Sequence, residues 1–403
     1  GKTELVAVWS LLRRGLRMHP FSQEEYRGRN KGLRQLMAQR GVDTLLIFDA
    51  ANIYYLTGYA GYSDYNPQLA LVRQDEEDPW LILREMDVVA SEASSYLPHS
   101  RILSYPEKYI GSSQSTPWQP ISDFIRERSR ASRGRIGVEL SAKVLGVKGH
   151  AALSKSLGVS EFIDADGMVL TLKVIKSPAE LTYMEQAGKI ADRAMQAGRL
   201  AISVGARQCD VAADLSHALH AGTPEFPGSS PQQFSMNVGS PANAVHLAWT
   251  DERYKTGCQT IFEIGAFRHR YCSALSRTIF LGEPSARERH VHQACLDGFL
   301  AAFDAIRPGV TCSDVNRAFR REFEPRGVRK TSKIGYSLGI DWIDGGLNMQ
   351  EGDESVVQAN MTFHLIIGIF EKTDGYLLSE TVRVTDDGAK SLSNMSRDLL
   401  VNY

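Results

Sequence analysis

No stretch of the sequence is long and apolar enough to span a bilayer as a helix. The early run Leu5-Val6-Ala7-Val8-Trp9 is short, and Arg13 and Arg14 follow it, where a signal peptide carries its basic residues in front. Residues 1–17 are therefore read as an extension, with the folded protein expected from about Met18. Cysteine is also sparse: Cys209, Cys258, Cys272, Cys295 and Cys312 are scattered and form no C-x-x-C pair, which excludes a zinc knuckle or a dithiol redox motif. A reduced, cytoplasmic setting is expected. An excess of either charge is missing too. With 46 Lys+Arg against 47 Asp+Glu, nothing favours nucleic acid or an anionic membrane, so the expected partner is a small molecule recognised by local groups. There is no P-loop, no G-x-G-x-x-G after a strand and no H-E-x-x-H. Nucleotide, zincin and serine-elbow readings are set aside, and no cofactor is expected.

What is present fits two domains, each large enough to bury a core. The first half alternates α and β patterns. Glu24 to Gly41 has helical spacing and a glycine stop, and apolar runs at 44–48, 68–72, 80–83 and 135–139 suit buried strands. A boundary near residue 172 precedes Ser177-Pro178-Ala179-Glu180, which supplies an N-cap, a first-turn proline and a capping-box glutamate. Leu181, Met184, Ala187, Ala191 and Met195 continue it as one apolar stripe. Further helices are expected at about 209–220 and 285–306, then strands at 361–370 and 377–384. The domains are accordingly placed at 18–172 and 173–403.

Chemistry is sought in polar residues planted in apolar strands, where burial is costly. Glu263 lies in Thr260-Ile261-Phe262-Glu263-Ile264-Gly265, His364 in Phe363-His364-Leu365-Ile366, and Glu380 in Leu377-Leu378-Ser379-Glu380-Thr381. A three-residue Thr373-Asp374-Gly375 loop, pairing Lys372 with Tyr376, would put His364 and Glu380 on one face. A two-residue Asp-Gly loop would put them on opposite faces.

These segments, with Ile175-Lys176-Ser177-Pro178-Ala179-Glu180 and Ala274-Leu275-Ser276-Arg277-Thr278-Ile279-Phe280, resemble the creatinase/aminopeptidase superfamily over roughly residues 20–403. The resemblance implies an α/β N-terminal domain followed by an α+β pita-bread catalytic domain. In the metallopeptidase branch five residues bind two metal ions. The corresponding positions here hold Glu263, Ala274, Tyr336, Ile366 and Glu380, a set too poor in carboxylate and imidazole to make a divalent-ion shell. Metal independence is expected on that ground. Ala244-Val245-His246-Leu247-Ala248-Trp249, Phe262-Glu263-Ile264 and Asn360-Met361-Thr362-Phe363-His364 look like ectoine hydrolases in particular. That likeness implies hydrolysis of a C–N bond in a small cyclic amidine, with Glu263, His246 and Glu380 catalytic and His364, Tyr65, Tyr336 and Asp344 binding substrate. It also implies a homodimer in which the loop Gly61-Tyr62-Ser63-Asp64-Tyr65 of one subunit closes the other's pocket. The rival readings are a creatinase-type guanidino hydrolase and a non-catalytic binding protein on the same fold.

Overall fold

The computed structural model describes residues 19–129, 134–229, 233–239 and 243–403, so the extension read at 1–17 lies outside the described residues. The chain divides between Leu172 and Lys173 into two compact units. Among the described residues no helix is long and apolar enough to cross a membrane.

The first unit is built on a six-stranded sheet in the order β4-β3-β2-β1-β5-β6. Its strands are β1 (Thr44–Ile47), β2 (Leu69–Arg73), β3 (Trp80–Arg84), β4 (Ile102–Tyr105), β5 (Ile136–Val138) and β6 (Ile163–Asp164). The β1–β2 and β2–β3 pairs are antiparallel and the rest parallel. Leu46, Phe48, Leu71, Ile82 and Val138 from the sheet meet Trp118, Ile121, Ile125 and Leu153 in one core. The helix predicted to stop at Gly41 is α1 (Gln23–Arg40), and Gly41 has the positive φ that suits glycine at a helix end.

The second unit carries a nine-stranded sheet. Seven strands run in the order β11-β10-β12-β13-β9-β8-β7, with two short strands attached to β13 and β9. They are β7 (Gln233–Val238), β8 (Gln259–Arg268), β9 (Tyr271–Leu281), β10 (Gly335–Gly339), β11 (Trp342–Asn348), β12 (Thr362–Phe370) and β13 (Gly375–Val384). Two helix pairs cover it. The first is α2 (Pro178–Ala201) and α3 (Gln208–Ala221); the second is α4 (Ala286–Ala305) and α5 (Cys312–Phe323). The capping box read at Ser177 and Glu180 opens α2, and the predicted stripe from Leu181 to Met195 is buried.

Side chains alternate across a strand, so the apolar set of each strand fixes which face the helices cover. Phe262, Ile264, Leu275 and Ile279 pack under α2 and α3. Phe363, Leu365, Leu378 and Val382 pack under α4 and α5. The pairings Ile264↔Leu275, Leu275↔Glu380 and Glu380↔Leu365 place all of these, with Glu380, on one face. The opposite face holds the row Glu263, Ser276, Ser379, Ile366, each directly across from the next.

Candidate active site

This second face makes the floor of a cavity of about 620 Å³, whose walls include Phe234, His246, Glu263, Tyr336, Asp341 and Trp342. Glu263 projects into it from β8. Burial raises its carboxyl pKa, an effect the charge of His246 partly offsets. Among the described residues no lysine or arginine pairs with it. His246 is exposed on the loop before β8 and holds a positive φ of 62°, a conformation uncommon for a residue with a side chain.

Beside Glu263 a hydrogen-bonded chain crosses five strands. Trp342 Nε1 donates to the Tyr336 hydroxyl at 2.8 Å, and that hydroxyl lies 2.8 Å from His364 Nδ1. His364 Nε2 is 2.6 Å from Ser379 Oγ, which donates to Ser276 Oγ at 2.7 Å. His364 is fully buried, and burial pushes its pKa down to about 3, so the ring is neutral. Asp341 and Trp342 also have positive φ, of 57° and 104°. Asp341 is held by the Arg270 guanidinium, with Nε 2.9 Å from Oδ1. Gly265, two residues after Glu263, lies under the Trp342 ring, and a methyl there would overlap it.

Three of the sequence-assigned residues are thus brought together at the cavity, Glu263, His246 and Tyr336, and His364 stands behind Tyr336. The others need correction. Glu380 points to the helix-covered face, because Phe370 pairs with Gly375 and His364 with Thr381, an odd register that separates His364 from Glu380. Gly375 belongs to the strand, where it lies against Asn243 and leaves no room for a side chain. Glu380 is tied instead into a buried cluster. Arg277 Nη2 donates to Oε1 at 2.6 Å, Arg397 bonds both oxygens at 2.9 and 2.7 Å, and Ser391 Oγ donates at 2.5 Å. Asp344 is buried and ion-paired to Lys173 at 2.6 Å, while its other oxygen accepts the Ile340 N–H at 3.0 Å, so it too is absent from the cavity wall. Tyr65 is an exposed residue of the first unit, on a separate cavity with Pro67, Tyr109 and Trp118.

Sequence reading missed Trp342, Asp341, Ser276 and Ser379. For Ser276 and Ser379 the available signal was a serine inside an otherwise apolar strand. Gly335-Tyr336-Ser337-Leu338-Gly339 does carry the G-x-S-x-G spacing. It is no nucleophile elbow, because the segment is the uninterrupted strand β10 and Ser337 is buried opposite Phe363.

Residues 182–386 match the model of metallopeptidase family M24, and residues 29–175 match the creatinase/prolidase N-terminal domain. The chain belongs to the M24 family. An uncharacterised hydrolase/peptidase of Sinorhizobium fredii is 34% identical over 94% of this chain and 97% of its own length. The ectoine hydrolase of Halomonas elongata is 30% identical over 95% and 98%. Among solved structures, a dipeptidase from Mycobacterium ulcerans superposes with a TM-score of 0.80 at 22% identity, covering 94% of this chain and 99% of the other. The prolidase of Pyrococcus horikoshii gives 0.79 at 20% identity, covering 93% and 100%. The fold is therefore a creatinase-type N-terminal domain followed by an M24 pita-bread domain, and the protein is a hydrolase of that family near the ectoine hydrolase branch.

This membership overturns the expectation of metal independence, since the matched family is one of metallopeptidases and its relatives include Xaa-Pro dipeptidases. The side chains at hand do not themselves fit a divalent ion. Among the described residues no three His, Cys, Asp or Glu side chains gather into a ligand group, and Glu263 is flanked by Ser276, Tyr336 and, one pair along, Ala274. No chemical step below is routed through a metal.

Proposed function

We propose that this protein hydrolyses a C–N bond in a small cyclic amidine, the reaction type suggested by its likeness to ectoine hydrolase. The observation that carries this reading is Glu263, a partly desolvated carboxylate on the cavity wall without a lysine or arginine partner among the described residues. Such a group is stabilised by a ligand that brings the positive charge with it, and an amidinium does so. Phe234 stacks on Trp249 with ring centroids 5.6 Å apart, adding an aromatic wall that suits a compact ring.

In the reaction, the oxygen of water bonds to the amidine carbon while Glu263 accepts the proton of that water. One ring C–N bond then breaks, and the departing nitrogen takes a proton from His246. The raised pKa of Glu263 strengthens it as a base. Glu263 acting as nucleophile would give the same product through an acyl-type intermediate.

The test incubates purified protein, its metal content measured alongside, with ectoine, creatine and an Xaa-Pro dipeptide, following products by NMR. Ring opening of ectoine that disappears in Glu263→Gln supports the proposal. Turnover of the dipeptide alone would replace it with a peptidase, and turnover of creatine alone with a guanidino hydrolase. The active form is proposed to be a homodimer. Sedimentation giving a fully active monomer would remove that part, and with it any role for Tyr65 at a partner's pocket.

A further inference from the structure

Two donors set the direction of the hydrogen bonds beside Glu263, the Trp342 indole and the Ser379 hydroxyl. Indole nitrogen can only donate, so the Tyr336 oxygen accepts from Trp342. With the single Ser379 hydrogen on Ser276, the 2.6 Å contact to His364 is donated by Nε2–H. A neutral imidazole with hydrogen on Nε2 is an acceptor at Nδ1, and Tyr336 therefore donates its only hydrogen to His364. Tyr336 is left with one lone pair, and it stands on the wall of the cavity that Glu263 shares.

We infer that Tyr336 is a specificity-determining residue that presents a hydrogen-bond acceptor to the ligand, with His364 and Trp342 as the positioning residues that keep its hydrogen turned away. The inference deepens the amidine reading and rests on it. A carboxylate and a phenol oxygen lining one cavity, both accepting, match a cationic ligand carrying two or more N–H donors. They disfavour a neutral ligand of the same shape that offers a carbonyl oxygen, because two acceptors would then face each other. Asp341, on the same wall, adds further acceptor character, although Arg270 engages it. Ser235, also on that wall, carries a hydroxyl able to act either way.

Binding of acetamidinium and of its neutral isostere acetamide tests this, measured by ligand-observed NMR on the full chain at pH 7.5. Wild-type protein is expected to prefer acetamidinium. Tyr336→Phe should weaken acetamidinium binding about tenfold, the worth of one hydrogen bond from a charged donor, and leave acetamide binding near its wild-type level. His364→Leu removes the acceptor and frees the tyrosine hydrogen to swing toward the cavity, so acetamide binding should improve relative to acetamidinium. An equal effect of Tyr336→Phe on both probes, or no preference in wild type, would overturn the inference. If His364→Leu does not fold, Tyr336→Phe alone decides it. Because the readout is binding, a protein that selects acetamidinium yet leaves ectoine intact would defeat the proposed reaction and leave Tyr336's role standing. Ectoine turnover with undiscriminating binding would do the reverse.

Discussion

Glu380 offers the sharpest separation between holding the fold together and doing chemistry. Its carboxylate is buried and receives four donors, from Arg277, Arg397 twice and Ser391. Burial alone would raise its pKa; the Arg397 hydrogen bonds and the charges of Arg277 and Arg397 more than offset that and leave it lowered. Glu380→Gln keeps the shape and removes the charge, leaving the Arg277 guanidinium buried without a counter-ion. Breaking a buried pair in this way costs about 3–5 kcal/mol. Arg277 keeps its bonds to the carbonyls of Ser276, Ser379, Met395 and Ser396, so the lower end, about 3 kcal/mol, is expected. At roughly 2–4 °C per kcal/mol for a unit of this size, the melting temperature should fall by about 6–12 °C, read by calorimetry at pH 7.5. A lowered carboxyl pKa adds stability above the unfolded value near 4.5 and loses it as pH falls through the folded value, so the two proteins should converge in acid. Well below the melting onset, kcat should stay within about twofold of wild type, because the side chain faces away from the cavity. Unchanged melting together with a kcat loss of a hundredfold or more would refute this placement and return Glu380 to the catalytic group.

The remaining expectations concern the other face of the sheet. Glu263→Gln should lower turnover at least about 10²-fold. It should also raise the melting temperature at pH 8, because a carboxyl whose pKa is raised in the folded state loses stability as pH rises through that range. Gly265→Ala should push the Trp342 indole off the strand and raise KM about tenfold, with a changed tryptophan emission marking the displaced ring; unchanged emission and KM would show that the indole can yield. His364, with a pKa depressed to about 3 against an ordinary 6.5, contributes stability that is complete above pH 6.5 and lost as pH falls below it, by about 1.4 kcal/mol per unit. His364→Asn should flatten that part of the pH–stability curve, and an unaltered slope would mean the ring is already charged in the folded protein.

Much of the fold could be read in advance because local signals agreed with one another. The capping box at Ser177, the stripe from Leu181 to Met195 and the glycine stop at Gly41 all reappear, since a cap, an apolar stripe and a positive φ are properties of a few neighbouring residues. The β12–β13 hairpin was located but its register stayed open between two loops, and the observed pairing of Phe370 with Gly375 puts His364 and Glu380 on opposite faces. Gly375 looks like turn chemistry, yet its small size is required by Asn243, more than a hundred residues earlier in the chain. One residue of register moves every side chain of a strand to the other face, and that is what carried Glu380 away from His364.

The same limit governs the site. A carboxylate in an apolar strand is conspicuous in sequence, and Glu263 and Glu380 are conspicuous alike. What separates them is compensation, and compensation is long-range: Arg277 comes from β9 and Arg397 from the segment after the last long strand, so neither periodicity nor spacing could assign them to Glu380 rather than Glu263. Once those two arginines are placed, the charge accounting separates the two carboxylates. Glu380 has more donors than it needs and gains nothing from a ligand. Glu263 has its burial penalty, offset only in part by the exposed His246, and a cation entering the cavity would stabilise its ionised form. A hydrolase whose base is finished only by its substrate gains part of its selectivity from that incompleteness, because a neutral analogue leaves the carboxylate as costly as it found it.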